Sequence, residues 1–113
     1  MSDFPAGVTS MTDEKTAIYC AGLLQALGEP NRIRIIDLLR VGSKNVTEIS
    51  RLLEDEIVNV SHHLGVLRRA GLVEIRKDGR FVFYSLYPQH FGSDSSNSTK
   101  IDLGWCRVEI PHH

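Results

Sequence analysis

Between Asp13 and Leu27 apolar residues recur at helical spacing, with Ala17, Cys20, Ala21 and Leu24 on one stripe. Ile18, Tyr19, Leu23 and Ala26 make the remaining surface apolar as well. A helix apolar nearly all round, in a chain too small to surround it, predicts burial against its own domain and against a second copy. After Gly28 a second helix is predicted: Pro30 falls in its first turn, Ile33, Ile36 and Leu39 share a face, and Gly42 lies just past its end. In NVTEISRLL, Asn45 followed three residues later by Glu48 is a variant of the capping box, which predicts a short third helix carrying Ile49, Leu52 and Leu53. The acidic break Glu54-Asp55-Glu56 then leads into a fourth helix whose inward positions are Ile57, Val60, Leu64 and Leu67.

Two alternating runs follow Gly71: Leu72 to Arg76, and Arg80 to Tyr87, where Val82, Tyr84 and Leu86 fall on one face. Between them KDGR predicts a β-hairpin, with Asp78-Gly79 supplying the positive φ angles of a tight turn. Residues 1–12 carry no periodicity and read as a mobile arm. Residues 13–88 hold the helices and hairpin, and 89–100, rich in Ser, Asn, Asp and Gly, read as a flexible linker. Residues 101–113 return to β-like residues and read as an extended segment, expected either to cover the first helix of its own or the partner subunit with Trp105 as its anchor, or only to seal the core.

Three helices, a fourth joined to the third by a short turn, and then a hairpin make a mainly α fold with a β-wing: a winged helix-turn-helix with an atypical C-terminal extended segment. Such a unit lays its second motif helix in the DNA major groove. On that helix Val58, Ser61, His62 and Gly65 oppose the apolar stripe, with Asn59 and His63 flanking it. Asn, Ser and His donate to or accept from base edges and phosphates, and Arg69, Lys77 and Arg80 suit phosphates. A plainer alternative for His63 is a packed residue at the core's edge, and for Arg68 and Arg69 a solvated last turn complementing the helix dipole. Adjacent histidines on a helix point about 100° apart, so His62 and His63 are poorly placed to share one metal ion.

Composition narrows the picture. The 113 residues, 42% hydrophobic and 24% charged, suit one small domain. The formal net charge of −1 advertises no anionic partner, yet ten of the thirteen Lys and Arg residues fall between Arg32 and Arg80, so any nucleic-acid surface is a local patch. No apolar run is long enough to span a bilayer and the N-terminal residues carry no signal-peptide pattern, so a cytoplasmic protein is expected. Two cysteines are too few for a disulfide scaffold.

The segments ALGEPNRIRIIDLL, VSHHLGVLRRAGLV and EIRKDGRFVFYSLYP resemble the ArsR/SmtB family of winged-helix transcriptional repressors, over roughly residues 15–88. The resemblance implies a homodimer on a palindromic double-stranded DNA operator, often released by a metal ion, a metalloid or a thiol-reactive effector. By match to the family's recognition helix it implies DNA contacts from Asn59, Ser61, His62 and His63. There are departures. The third helix lacks the cysteines with which some members sense arsenic or cadmium, and the segment where others carry a metal-binding C-terminal helix is broken by GSDSSNST. The turn before the recognition helix carries Asp55 and Glu56, acids that cap a helix but repel phosphates.

The remaining soft ligands are Cys20, Cys106, His90, His112 and His113. Cys20, Cys106 and His90 are candidates for a zinc-like or softer metal ion, and Cys20 with Cys106 for a two-thiol redox switch. The alternative for Cys20 is a small core residue, and for His112 and His113 a frayed terminus or a remnant of expression. A winged-helix module that docks protein, or a DNA-binding regulator without an effector, stands as the alternative function. Catalysis finds no support, since Ser61 and His62 are sequential and no third group is placed to orient a base.

Overall fold

The computed structural model describes residues 14–91, 98–102 and 107–111. Helices α1 (Glu14–Leu27), α2 (Pro30–Val41), α3 (Val46–Leu53) and α4 (Ile57–Arg69) precede an antiparallel hairpin of β1 (Val73–Asp78) and β2 (Phe81–Leu86). A 3-10 turn, Pro88–His90, leads towards a second antiparallel hairpin of β3 (Ser98–Asp102) and β4 (Arg107–Pro111). Local signals set several boundaries. The Glu29 side chain accepts from the backbone N–H groups of Asn31 and Arg32 to start α2, with Pro30 in the first turn. Asn45 and Glu48 form a reciprocal capping box on α3.

One core joins these elements. Ile35, Ile36 and Leu39 of α2 meet Ile49 and Leu53 of α3, Val60, Leu64 and Leu67 of α4, and Leu72 and Val73 at the start of the wing. Burying each of the larger side chains contributes about 1.5–3 kcal/mol, which fixes α4 by one face only. The wing is anchored to the helices through Lys44, whose backbone exchanges both hydrogen bonds with Tyr84 (3.0 and 2.8 Å).

Several expectations are corrected. Helix α1 buries Cys20, Leu23, Ala26 and Leu27, leaving Ala17, Ala21 and Leu24 of the expected stripe exposed. Because this helix is apolar nearly all round, its rotation is set by the surface it packs on rather than by its own pattern. On α2, Ile35 takes the deep position and Ile33 is only half-buried. Leu52 of α3 is exposed, and Ile57, at the first position of α4, is 48% exposed rather than inward. In the wing Asp78 pairs with Phe81, so the two-residue loop is Gly79-Arg80, and Gly79 alone takes a positive φ (63°). That is the type II′ pattern, which needs a positive φ only at its first central residue.

The C-terminal reading changes most. The segment expected as a linker from residue 89 begins with a structured turn in which His90 is buried, and from Ser98 its end belongs to β3. The expected single extended segment is a hairpin strand, β4, paired with β3. Ile101 of β3 is fully buried in the core, with Val108 packed against the same cluster. His90 ties three elements together: its Nδ1–H donates to the Asp102 carbonyl (2.7 Å), and its Nε2 accepts from the Tyr19 hydroxyl of α1 (3.3 Å). The carbonyl can only accept, which assigns the ring tautomer. The expected arm, 1–12, and Trp105, Cys106, His112 and His113 lie outside the described residues.

Candidate nucleic-acid interface

With Val60, Leu64 and Leu67 inside, the 100° advance per residue sends Val58, His62, Gly65 and Arg69 directly outwards along α4. Val58 is 76% exposed, and His62 and Arg69 are exposed beside it. Ser61 and Asn59 occupy the two shoulders of this row and are also exposed. Gly65 makes room within the row: a Cβ there would lie 3.3 Å from Nη1 of Arg69, whose guanidinium folds back over the helix.

The adjacent histidines separate. Their ring centroids are 5.8 Å apart with planes tilted by 54°. His62 faces outwards, whereas the His63 side chain is only 12% exposed. Arg32 Nη1 lies 3.2 Å from His63 Nδ1, and His63 Nε2 faces Glu29 at 3.8 Å. Since a guanidinium only donates, Nδ1 is the acceptor and the ring's remaining N–H points at the carboxylate. Arg32 also donates through Nε to the Ala26 carbonyl. His63 therefore sits at a junction between α2 and α4, far less exposed than Asn59, Ser61 and His62.

The turn between α3 and α4 carries its own network. Asp55 accepts from Asn31 Nδ2 (3.0 Å), Asn59 Nδ2 (3.0 Å) and the Glu56 backbone N–H (2.8 Å). The Asn59 bond first, then those from Glu56 and Asn31 and the nearby His63, hold the Asp55 carboxyl below its ordinary range against an opposing effect of burial. Glu54 adopts a left-handed conformation (φ 55°) and closes α3, while the Ser50 hydroxyl donates to the Asp55 carbonyl. No side chain caps α4 itself, so Asp55 braces the turn instead of the acids capping the helix as expected.

Lys77 on β1 and Arg80 in the wing loop are both exposed. Sequence reasoning placed the exposed row and the wing charges, but it missed Arg32, Glu29 and Asn31 as the residues that fix α4. The Glu29-Pro30 pair was visible as a helix start; the long-range contact of Arg32 with His63 left no local trace.

The candidate soft ligands do not assemble a metal site in the described residues, where no group of three His, Cys, Asp or Glu side chains converges. The one lone pair of His90 is directed at the Tyr19 hydroxyl, and Cys20 is buried within α1. Cys106, proposed to meet Cys20, lies outside the described residues. No helix among the described residues is long and apolar enough to cross a membrane.

Comparison with known proteins agrees with this geometry. Residues 29–74, from the Glu29 cap to the first strand of the wing, match the family described as "Bacterial regulatory protein, arsR family". The chain is 42% identical over 78 residues to the HTH-type transcriptional regulator NmtR of Mycobacterium tuberculosis, covering 69% of this chain and 65% of that protein, so it spans less than two thirds of NmtR's length. It is 38% identical over 73 residues to the transcriptional activator HlyU of Vibrio cholerae, covering 65% of this chain and 68% of HlyU. The solved HlyU structure superposes with a TM-score of 0.62 at 37% identity, over 66% of this chain and 82% of that one. A homodimeric winged helix-turn-helix DNA-binding domain from Mycobacterium bovis superposes with the same TM-score, 0.62, at 29% identity, over 71% of this chain and 76% of that chain. Its helix order, wing and sequence together place this chain in the ArsR family of bacterial regulatory proteins.

Proposed function

We propose that this chain is a sequence-specific DNA-binding transcriptional repressor, acting in the cytoplasm as a homodimer on a palindromic operator. The observation that carries the reading is the outward row of α4: Val58, His62 and Arg69, shouldered by Asn59 and Ser61, on a helix whose other side is locked in the core. A row this wide fits the major groove, where His62, Ser61 and Asn59 meet base edges and Arg69 a phosphate. Lys77 and Arg80 reach neighbouring phosphates from the wing and set the register without reading sequence. His63 acts behind this surface, holding α4 at a fixed angle to α2 through Arg32.

The second copy docks on α1. Ala17, Ala21 and Leu24 form an exposed apolar strip that the chain's own described residues leave uncovered. A two-fold axis there presents two α4 helices to half-sites about 34–36 Å apart, one turn of DNA. The M. bovis relative is described as homodimeric, which supports this arrangement. Release by a metal, metalloid or thiol-reactive effector remains part of the proposal; Cys20 is buried in the closed fold, so a thiol-reactive effector would reach it only where α1 opens.

Selection of duplexes from a random-sequence pool, followed by gel shift at several salt concentrations, tests the reading. A repressor enriches a palindrome and discriminates it from random DNA by at least about a thousandfold. A protein-docking module, favoured by the net charge of −1 and the acidic turn, enriches no sequence. HlyU is named an activator, so a reporter assay fixes the sign of regulation.

A further inference from the structure

Beside the outward row of α4 lies a cleft of about 540 Å³, walled by α1 on one side and α4 on the other. Its lining joins an apolar part, Ile18, Leu23, Ala26 and Val66, to polar side chains, among them Gln25, Arg32, Arg69 and His62. Among the described residues, no Asp or Glu lines it. Arg32 is held in place by the Ala26 carbonyl and His63, whereas Arg69 makes no hydrogen bond or ion pair with any described residue. Gly22, in the middle of α1, also faces the cleft, and a Cβ added there would meet nothing within 4 Å. A helix interior disfavours glycine, and here the missing side chain keeps the space open.

We propose that this cleft is an effector site for an organic carboxylate with an apolar body of about ten carbons, the apolar part lying between α1 and α4 and the carboxylate on Arg69 and His62. Its size is that of a small-molecule pocket, and a lining that sets apolar side chains beside two guanidiniums, with no acid among the described residues, selects an anion with an apolar body. The site leaves the proposed dimer strip clear: Ala17, Ala21 and Leu24 lie roughly 100° round α1 from the wall made by Ile18, Gly22 and Gln25. Because His62 and Arg69 belong to both the cleft and the outward row, a carboxylate held there takes them from the operator. This part of the inference rests on the proposed DNA-binding role.

Titration calorimetry of the full chain without DNA, with 1-naphthoate as the probe and 1-naphthamide as its uncharged counterpart, tests the site. Naphthoate is expected to saturate at one molecule per chain, with naphthamide and the Arg69→Gln variant each at least about tenfold weaker, the worth of one charge-assisted contact. Gly22→Leu fills the cleft with a better helix former; it is expected to keep its circular dichroism and operator affinity while losing naphthoate. Absence of saturable binding, equal binding of naphthamide, or undiminished binding to folded Gly22→Leu overturns the site. If Gly22→Leu does not fold, the naphthamide and Arg69→Gln comparisons decide. Saturating naphthoate should lower operator affinity at least about tenfold in the parent and leave Gly22→Leu unchanged; an unmoved parent overturns the release. Naphthoate binding by a chain that selects no DNA would overturn the proposed function and leave the site standing.

Discussion

The Arg32 guanidinium donates to Nδ1 of His63 across 3.2 Å, a bond between residues 31 positions apart that joins α2 to the recognition helix. It separates two neighbours that look interchangeable in the sequence, leaving His62 exposed and His63 tied into the fold. His63→Ala is expected to destabilise the protein by about 1–2 kcal/mol, the cost of a part-buried hydrogen bond and of Arg32 left without its acceptor. Urea unfolding measures this. Unchanged stability would show that the junction does not hold α4.

Lys77→Ala or Arg80→Ala is expected to weaken binding to every duplex alike and to make the dependence of log affinity on log salt shallower by about 1. Both residues are exposed at the end of the wing. Affinities over a salt series on specific and random duplexes check it, and an altered base preference would mean that the wing reads a groove directly.

Asp55 gives a pH signature. Its carboxyl is held below the ordinary value of 3.8, chiefly by Asn59, then by the Glu56 N–H and Asn31. A depressed folded-state pKa contributes stability that is fully present above the unfolded value and is lost as pH falls through the folded one. The stability advantage of the parent over Asp55→Asn should therefore be constant from neutral pH down to about pH 5 and shrink below the ordinary carboxylate range. Parallel unfolding curves for the two proteins down to pH 2.5 would contradict the assignment.

Ile101 of β3 is fully buried in the same cluster as Leu64 of α4. Ile101→Ala is expected to cost about 2–5 kcal/mol, as much as a substitution in the helices. A loss under about 0.5 kcal/mol in chemical unfolding, the level of a surface substitution, would mean that the second hairpin is not part of the core.

What was legible in the sequence was local. Pro30, the Asn45–Glu48 box and the helical repeat through Val60, Leu64 and Leu67 each act within a turn or two of chain, and the four helices and the wing follow from them. The rotation of α1 was not legible, because apolar residues on all sides leave the choice to tertiary packing. Ile57 misled because a residue at a helix start has neighbours on one side only. The wing loop moved by one residue because pairing Asp78 with Phe81 sets the register, and Gly79 then satisfies the turn alone. The exposed row of the candidate site was readable from periodicity, whereas the role of His63 depended on Arg32 and Glu29, far away in the chain. The second hairpin escaped because a Ser-rich stretch hides a strand whose stability comes from Ile101 reaching a distant core.

If the outward row of α4 reads a DNA sequence, His62, at the middle of that row, carries part of the discrimination. The most direct test is the ratio of affinities for the selected operator and a scrambled duplex, measured by fluorescence anisotropy at one salt concentration for the parent and for His62→Ala. His62→Ala is expected to keep its circular dichroism spectrum and nearly all its affinity for the scrambled duplex, and to lose about 1–3 kcal/mol in specific binding. A folded His62→Ala protein with the parent's full discrimination would contradict it.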